Sequence, residues 1–166
     1  MKQYQTIFCF FIENSIVVQG EGDVWKVSFS KQEKEILKGI DSNNGCRRKV
    51  IRTLKAIFKQ DSLLNNIPSY ALKTALFHWI RYKPDVSWDR KEYVNRVFDM
   101  LALIQWYLDQ NWLPNYFLPS QNLFRNCPPI VLDNIKNRIR GIRNNKNKFL
   151  KSMAFGLKKW TTTKHN

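Results

Sequence analysis

The chain has 166 residues, 43% of them hydrophobic and 25% charged, enough for one domain with its own core. Three widely spaced cysteines (Cys9, Cys46, Cys127) and two histidines exclude a disulfide framework and offer no metal-ligand spacing. A formal net charge of +15 directs attention to polyanionic partners, and no run reaches the roughly 18 apolar residues that a membrane span needs.

Ile7 to Ile12 is apolar behind Lys2, but Glu13 interrupts it and no small-residue cleavage site follows, so a secretory leader is not expected. A reducing compartment, cytoplasmic or nuclear, is the expected location. Thr6 to Val18 reads as one or two strands, Gln19 to Asp23 as a turn, and Trp25, Val27 and Phe29 as the apolar face of a short strand.

Ser30-Lys31-Gln32-Glu33 has the spacing of a capping box and predicts a short helix to Lys38, ended by Gly39. After a polar loop, a second helix is predicted from Cys46 to Lys59, with Val50, Ile51, Leu54, Ile57 and Phe58 on its apolar side. Pro68 suits the opening of a third, running through Tyr70 to Arg81. Asp89-Arg90-Lys91-Glu92 reads as another capping box, before the longest helix, where Tyr93, Val97, Met100, Leu101, Ile104 and Leu108 keep helical spacing. Asn111 to Pro119 breaks the pattern, and a last helix is predicted from Pro129 to Arg140. After Asp133 no acidic residue occurs, while ten lysines and arginines follow. That one-signed tail suits nucleic acid first and an anionic surface second, or simply a solvated tail.

Three clusters could carry chemistry. Arg48, Arg52, Lys55 and Lys59 are four, three and four residues apart, so they share a stripe on the second helix, where a polyphosphate or nucleic-acid backbone would relieve their repulsion. Ser69, Tyr70 and Lys73 put a hydroxyl, an aromatic face and an ammonium at a helix start, a combination suited to phosphate and base but also common in ordinary packing. Glu21 and Asp23 are spaced as a metal-binding pair on a strand would be, but they lie in a Gly-flanked turn with no third carboxylate; no metal or catalytic residue is expected. His78 is read as a core or boundary residue, with no nucleophile or carboxylate placed to make it a base.

Four ordered blocks resemble the C-terminal half of one family: Trp25 to Ser30 running into Glu33 to Leu37; Cys46-Arg47-Arg48 with Leu54-Lys55; Ser69 to Thr74 with Phe77-His78; and Asn115 to Pro119 with Asn122 to Phe124. Trp88 to Lys91 fits between the last two. The family is that of the male-abnormal-21 proteins, and especially their cyclic GMP-AMP synthase-like nucleotidyltransferases. The resemblance implies a mainly α fold: a helical bundle lobe with a short β-rich N-terminal edge and a basic C-terminal tail. It divides the chain into 1–24 (remnant strands or a divergent N-terminus), 25–128 (the family's helical lobe) and 129–166 (basic helix and tail).

By position, the resemblance implies that Tyr70 stacks on a base and that Ser69 and Lys55 meet a triphosphate. Lys26, Ser28 and Ser30 would lie beside a second nucleotide, and Lys73 would be a further binding position. Arg47, Arg48, Arg52 and Lys59 would face nucleic acid. Lys26 stands where vertebrate synthases carry Arg, which keeps the charge but loses the bidentate fork. The family's catalytic set, a Gly-Ser turn, a Glu-x-Asp pair and a later Asp, belongs upstream of Trp25, and the 24 residues there do not supply it. The zinc-binding insertion of the vertebrate DNA sensor is absent between Gly39 and Cys46, where one Cys and no His occur.

The expected function is therefore that of a nucleotide- and nucleic-acid-binding lobe, without catalysis by this chain alone. Its expected partners are ATP- or GTP-type nucleotides, double-stranded RNA or DNA, and a catalytic lobe in cis, with Mg²⁺ or Mn²⁺ only where that lobe is present. The alternative is a stand-alone or scaffold module of the same family that binds nucleic acid through its basic face.

Overall fold

The computed structural model describes residues 17–20, 23–26 and 29–151. Val17–Gly20 (β1) and Asp23–Lys26 (β2) pair as an antiparallel hairpin, with Val18 opposite Trp25. The strands expected from Thr6 onward otherwise lie outside the described residues, as do Ser28 and the end of the basic tail.

Five α-helices make up most of the other described residues: Ser30–Gly39 (α1), Arg47–Gln60 (α2), Ser69–Tyr82 (α3), Tyr93–Asp109 (α4) and Pro129–Asn144 (α5). Short 3-10 turns occupy Leu64–Asn66 and Arg90–Glu92. The protein is mainly helical, as its 3.6-residue periodicity predicts. In the middle of the bundle, α4 packs against α2, α3 and α5 and buries Val97, Met100, Leu101, Ile104, Tyr107 and Leu108. Along α3 every residue from Thr74 to His78 is buried, so this helix is enclosed on nearly all sides. Basic as it is, α5 sends Leu132, Ile135, Ile139 and Ile142 into the same core and keeps its charges outside.

In both expected capping boxes the glutamate takes other partners, distant for Glu33 and within α4 for Glu92. Phe29, not Ser30, occupies the cap of α1 and makes no side-chain cap bond. Glu33 is 4% exposed, and its carboxylate accepts a hydrogen bond from Lys73 on α3. At the second box Arg90–Glu92 is 3-10, α4 begins at Tyr93, and the Glu92 carboxylate meets Asn95 (2.9 Å) and Arg96 (3.7 Å). Nor does Gly39 supply a left-handed stop for α1. The positive φ falls at Asn44 (60°), in the following loop.

That loop ties α1 to α2. Asp41 accepts from the backbone N–H groups of Arg47 (3.0 Å) and Arg48 (2.8 Å), capping α2 from five residues before its cap position at Cys46. In return, the Arg48 guanidinium donates to the carbonyls of Leu37 (Nε, 2.8 Å) and Lys38 (2.6 Å) in the last turn of α1. A charged donor on terminal carbonyls is worth about 1–3 kcal/mol. Arg48→Ala should accordingly lower the unfolding free energy by about 1–2 kcal/mol, whereas Arg52→Ala, at an exposed position, should change it by less than about 0.5. Paired urea melts measure this, and equal effects would reject the assigned role of Arg48.

The far end of α4 closes with a Schellman turn. Asn111 adopts φ 49°, its N–H bonds Leu108 O (3.1 Å), and the Trp112 N–H bonds Tyr107 O (3.1 Å). The loop from Leu113 to Phe124 is then sewn together by two asparagines. Asn122 Oδ1 accepts from the N–H groups of Leu113 and Phe124, both at 3.0 Å, while Asn115 is wholly buried beneath Tyr70.

Candidate functional site

The first turn of α3 is the meeting point. Pro68 caps the helix in an extended conformation with no side-chain cap bond, and Ser69 stands exposed at the first helical position. One turn on, the Lys73 ammonium sits 5.5 Å from the centroid of the Tyr70 ring and pairs with Glu33 from α1. Lys55, half-buried on α2, feels both charges. Burial and then the Lys73 ammonium pull its pKa down, and Glu33 acts against them. Lys73 is thus paired with Glu33 beside a helix N-terminus, with Lys55 close enough to feel both charges.

Tyr70 is held at its far end. Its hydroxyl donates to Asn115 Oδ1 (2.8 Å), which also accepts from the Phe117 N–H (3.0 Å). The Asn115 amide nitrogen donates to Gln121 Oε1 (2.8 Å), and its backbone N–H donates to Gln121 O (2.8 Å). Burial pushes the Tyr70 phenol up to about 12, and the Glu33 charge adds to the rise against the bond with Asn115. The phenol therefore stays neutral, with its ring face beside the Lys73 ammonium. Phe117 stacks on Phe29 (4.8 Å, 16°), so the loop that anchors Tyr70 also rests on the residue capping α1.

His78, two turns further along α3, braces the same loop. It is 5% exposed, and its Nε2–H donates to the Pro114 carbonyl (2.9 Å) among Tyr82, Tyr107 and Tyr116. Nδ1 is buried without a partner, so a second proton there would find no acceptor. Burial lowers the His78 pKa, the Pro114 bond opposes this, and Arg81 lowers it further. With the folded pKa below the unfolded value of about 6.5, stability is full above that pH and is lost as pH falls through the folded pKa. Unfolding free energies from pH 7.5 to 5 should show this loss, and His78→Gln should flatten it; an unchanged slope would assign the pH dependence to other groups.

The residues nominated from sequence fall into three groups. Lys55, Ser69, Tyr70 and Lys73 come together at the start of α3, and Ser30 opens α1 on the helix that supplies Glu33. Lys26 closes β2, and Ser28 lies outside the described residues.

The basic stripe divides. Arg48 is committed to the α1 carbonyls rather than standing free, and half-buried Lys55 feels the Lys73 charge. Arg47 donates to Ile40 O and Asn43 Oδ1, both at 3.0 Å, and lies 5.3 Å from the Trp88 ring centroid. Arg52 and Lys59 remain exposed. Among the described residues no group of three His, Cys, Asp or Glu side chains is placed to hold a metal ion, and no helix is long and apolar enough to cross a membrane.

Sequence reasoning missed Glu33 as an ion partner and Asn115 as an anchor. The one available signal was an amide amid the apolar run Asn115-Tyr116-Phe117-Leu118-Pro119, since a polar side chain buried there must be fully hydrogen-bonded.

Comparison with known proteins places these elements. The family described as the Mab-21 protein HhH/H2TH-like domain matches residues 46–141, from the cap of α2 into the last turn of α5. A cyclic GMP-AMP synthase-like receptor 3 of Stylophora pistillata is 30% identical over 126 residues, covering 73% of this chain and 37% of that protein. A mab-21-like protein of Anopheles gambiae is 30% identical over 135 residues, covering 76% of this chain and 36% of its own length. The cyclic GMP-AMP synthase of Mus musculus is 32% identical over 118 residues, covering 63% of this chain and 23% of the mouse protein. The matched part is thus little more than a third of each of the first two relatives.

Proposed function

Because this chain belongs to the Mab-21 family, we propose that it is the C-terminal, nucleotide- and nucleic-acid-binding lobe of a cyclic GMP-AMP synthase-like nucleotidyltransferase. The observation that carries this reading is the convergence of Lys55, Lys73, Ser69 and Tyr70 at the open start of α3. A triphosphate would take the positive charge of the two lysines, together with the helix N-terminus. A nucleobase would stack on Tyr70, whose orientation is already set by Asn115, so little ordering cost remains on binding. Lys26, Ser28 and Ser30 are proposed to lie beside a second nucleotide. The proposed setting is cytoplasmic or nuclear.

Nucleic acid is proposed to meet the exposed Arg52 and Lys59 on α2. With Arg47 and Arg48 already bonded within the chain, their contribution there is mainly to hold this face in place. Binding to double-stranded RNA or DNA should fall steeply with salt, and Arg52→Glu should weaken it further.

Nucleotidyl transfer needs metal-binding carboxylates. The described residues do not fit that role, and no step through a metal is assigned to them. These 166 residues, given Mg²⁺, ATP and GTP, are expected to form no cyclic dinucleotide, and its detection would defeat the non-catalytic part of the proposal.

The deciding experiment is calorimetric titration of ATP and GTP into the wild-type chain and Tyr70→Ala. Loss of base stacking, worth about 1–3 kcal/mol, should weaken affinity about tenfold or more. If the variant only loses stability while nucleotide affinity stays the same, or if neither form binds, the second reading stands: a scaffold module in which these residues serve packing.

A further inference from the structure

Away from the start of α3, a groove of about 630 Å³ opens between the C-terminal half of α1, the loop after it and the second half of α3. Its floor is apolar, made by Ile36 and Ile40 on one side and Phe77, Ile80 and Tyr116 on the other. The volume lies within the range of small-molecule sites. Gly39 forms part of the wall, and a Cβ added there would meet nothing within 4 Å.

Two charged residues line it, Arg47 and Arg81, and both are cations. The Arg47 charge is offset by Asp41 at 3.6 Å, and its guanidinium is occupied by Ile40 O and Asn43. Arg81 is exposed and pairs with no carboxylate among the described residues. Among the described residues lining the groove, the uncompensated charge is therefore a single guanidinium. Guanidinium groups bind carboxylate, sulfonate and phosphate through a planar fork.

We propose that this groove is a second binding site, for a small amphipathic monoanion whose apolar body lies on Ile36, Ile40, Phe77 and Ile80 and whose anionic head meets Arg81. The site is separate from the Tyr70 cluster, and its existence does not depend on the nucleotide reading. Apolar burial supplies most of the affinity, and the exposed ion pair sets polarity of entry more than strength.

The probe is 1-anilinonaphthalene-8-sulfonate, followed by fluorescence titration of the folded chain. Saturable binding at one site per chain is expected. Gly39→Leu adds a side chain to the groove wall at a position where its Cβ has room, and should weaken the probe about tenfold, the worth of roughly 1.4 kcal/mol of lost apolar burial. Arg81→Gln should weaken it a few-fold, in line with an exposed ion pair, and the uncharged N-phenyl-1-naphthylamine should lose its sensitivity to that substitution. Both variants should keep the wild-type melting temperature within about 2 °C and the wild-type affinity for ATP. Non-saturable fluorescence, or equal binding by wild type and Gly39→Leu, would overturn the proposal. Loss of ATP affinity in Gly39→Leu would also count against it, by making the groove part of the nucleotide site.

Discussion

Asn115→Ala is expected to lower the unfolding free energy by about 3 kcal/mol, since three partners lose their bonds at once in a buried setting. The Tyr70 hydroxyl, the Phe117 N–H and the Gln121 side chain all depend on this one amide, which is fully buried. Each group left unsatisfied costs about 1–3 kcal/mol, and relaxation of the loop toward water recovers part of the total. Tyr70→Phe removes a single bond from the same network and should cost about 1 kcal/mol. Urea unfolding of the two variants side by side checks the ratio. Equal losses would mean that the loop is held by something other than Asn115. Under the nucleotide reading, Asn115→Ala should also weaken ATP binding by releasing the Tyr70 ring, an effect that Tyr70→Phe should share only in part.

Leu101→Ala is expected to lower the unfolding free energy by about 3–5 kcal/mol. Leu101 is 0% exposed and sits on α4, the helix that touches α2, α3 and α5. A close-packed core around a fully buried leucine relaxes only partly, so little of the resulting cavity can collapse. At Leu63, which is 39% exposed, the same truncation should cost less than about 0.5 kcal/mol. Chemical denaturation with a two-state fit measures both. A loss below about 1.5 kcal/mol at Leu101 would show that the bundle repacks freely and that α4 is not its fixed centre.

The helices were legible because their signal is local and repeated. Val97, Met100, Leu101, Ile104 and Leu108 keep the helical spacing, and all five are buried on α4. End signals were less reliable, since a cap residue is only one of several groups able to satisfy a helix terminus. Both capping-box glutamates found other partners. For Glu33 a lysine 40 residues away offers a charged donor inside the fold, and a buried carboxylate has more need of it than an exposed one.

The candidate site divides in the same way. Ser69, Tyr70 and Lys73 lie within five residues on one helix, so their association was already present in the chain order and in the resemblance of that block to a family. Asn115 lies 45 residues from Tyr70, and no spacing rule connects them. The stripe of Arg48, Arg52, Lys55 and Lys59 was correctly placed on α2, but helical spacing cannot say what stands opposite each member. The structure sends Arg48 to α1, half-buries Lys55 within reach of the Lys73 charge, and leaves Arg52 outside.

The sequence by itself determined the helical class, the positions of the five helices, the family and the net charge of the chain, all of which follow from periodicity, composition or ordered blocks. Only the tertiary structure decided which charges are already paired, which polar groups anchor the Tyr70 ring and where an open groove remains. Those outcomes depend on desolvation and on donors and acceptors brought together from distant parts of the chain, and neither is encoded in the spacing of neighbouring residues.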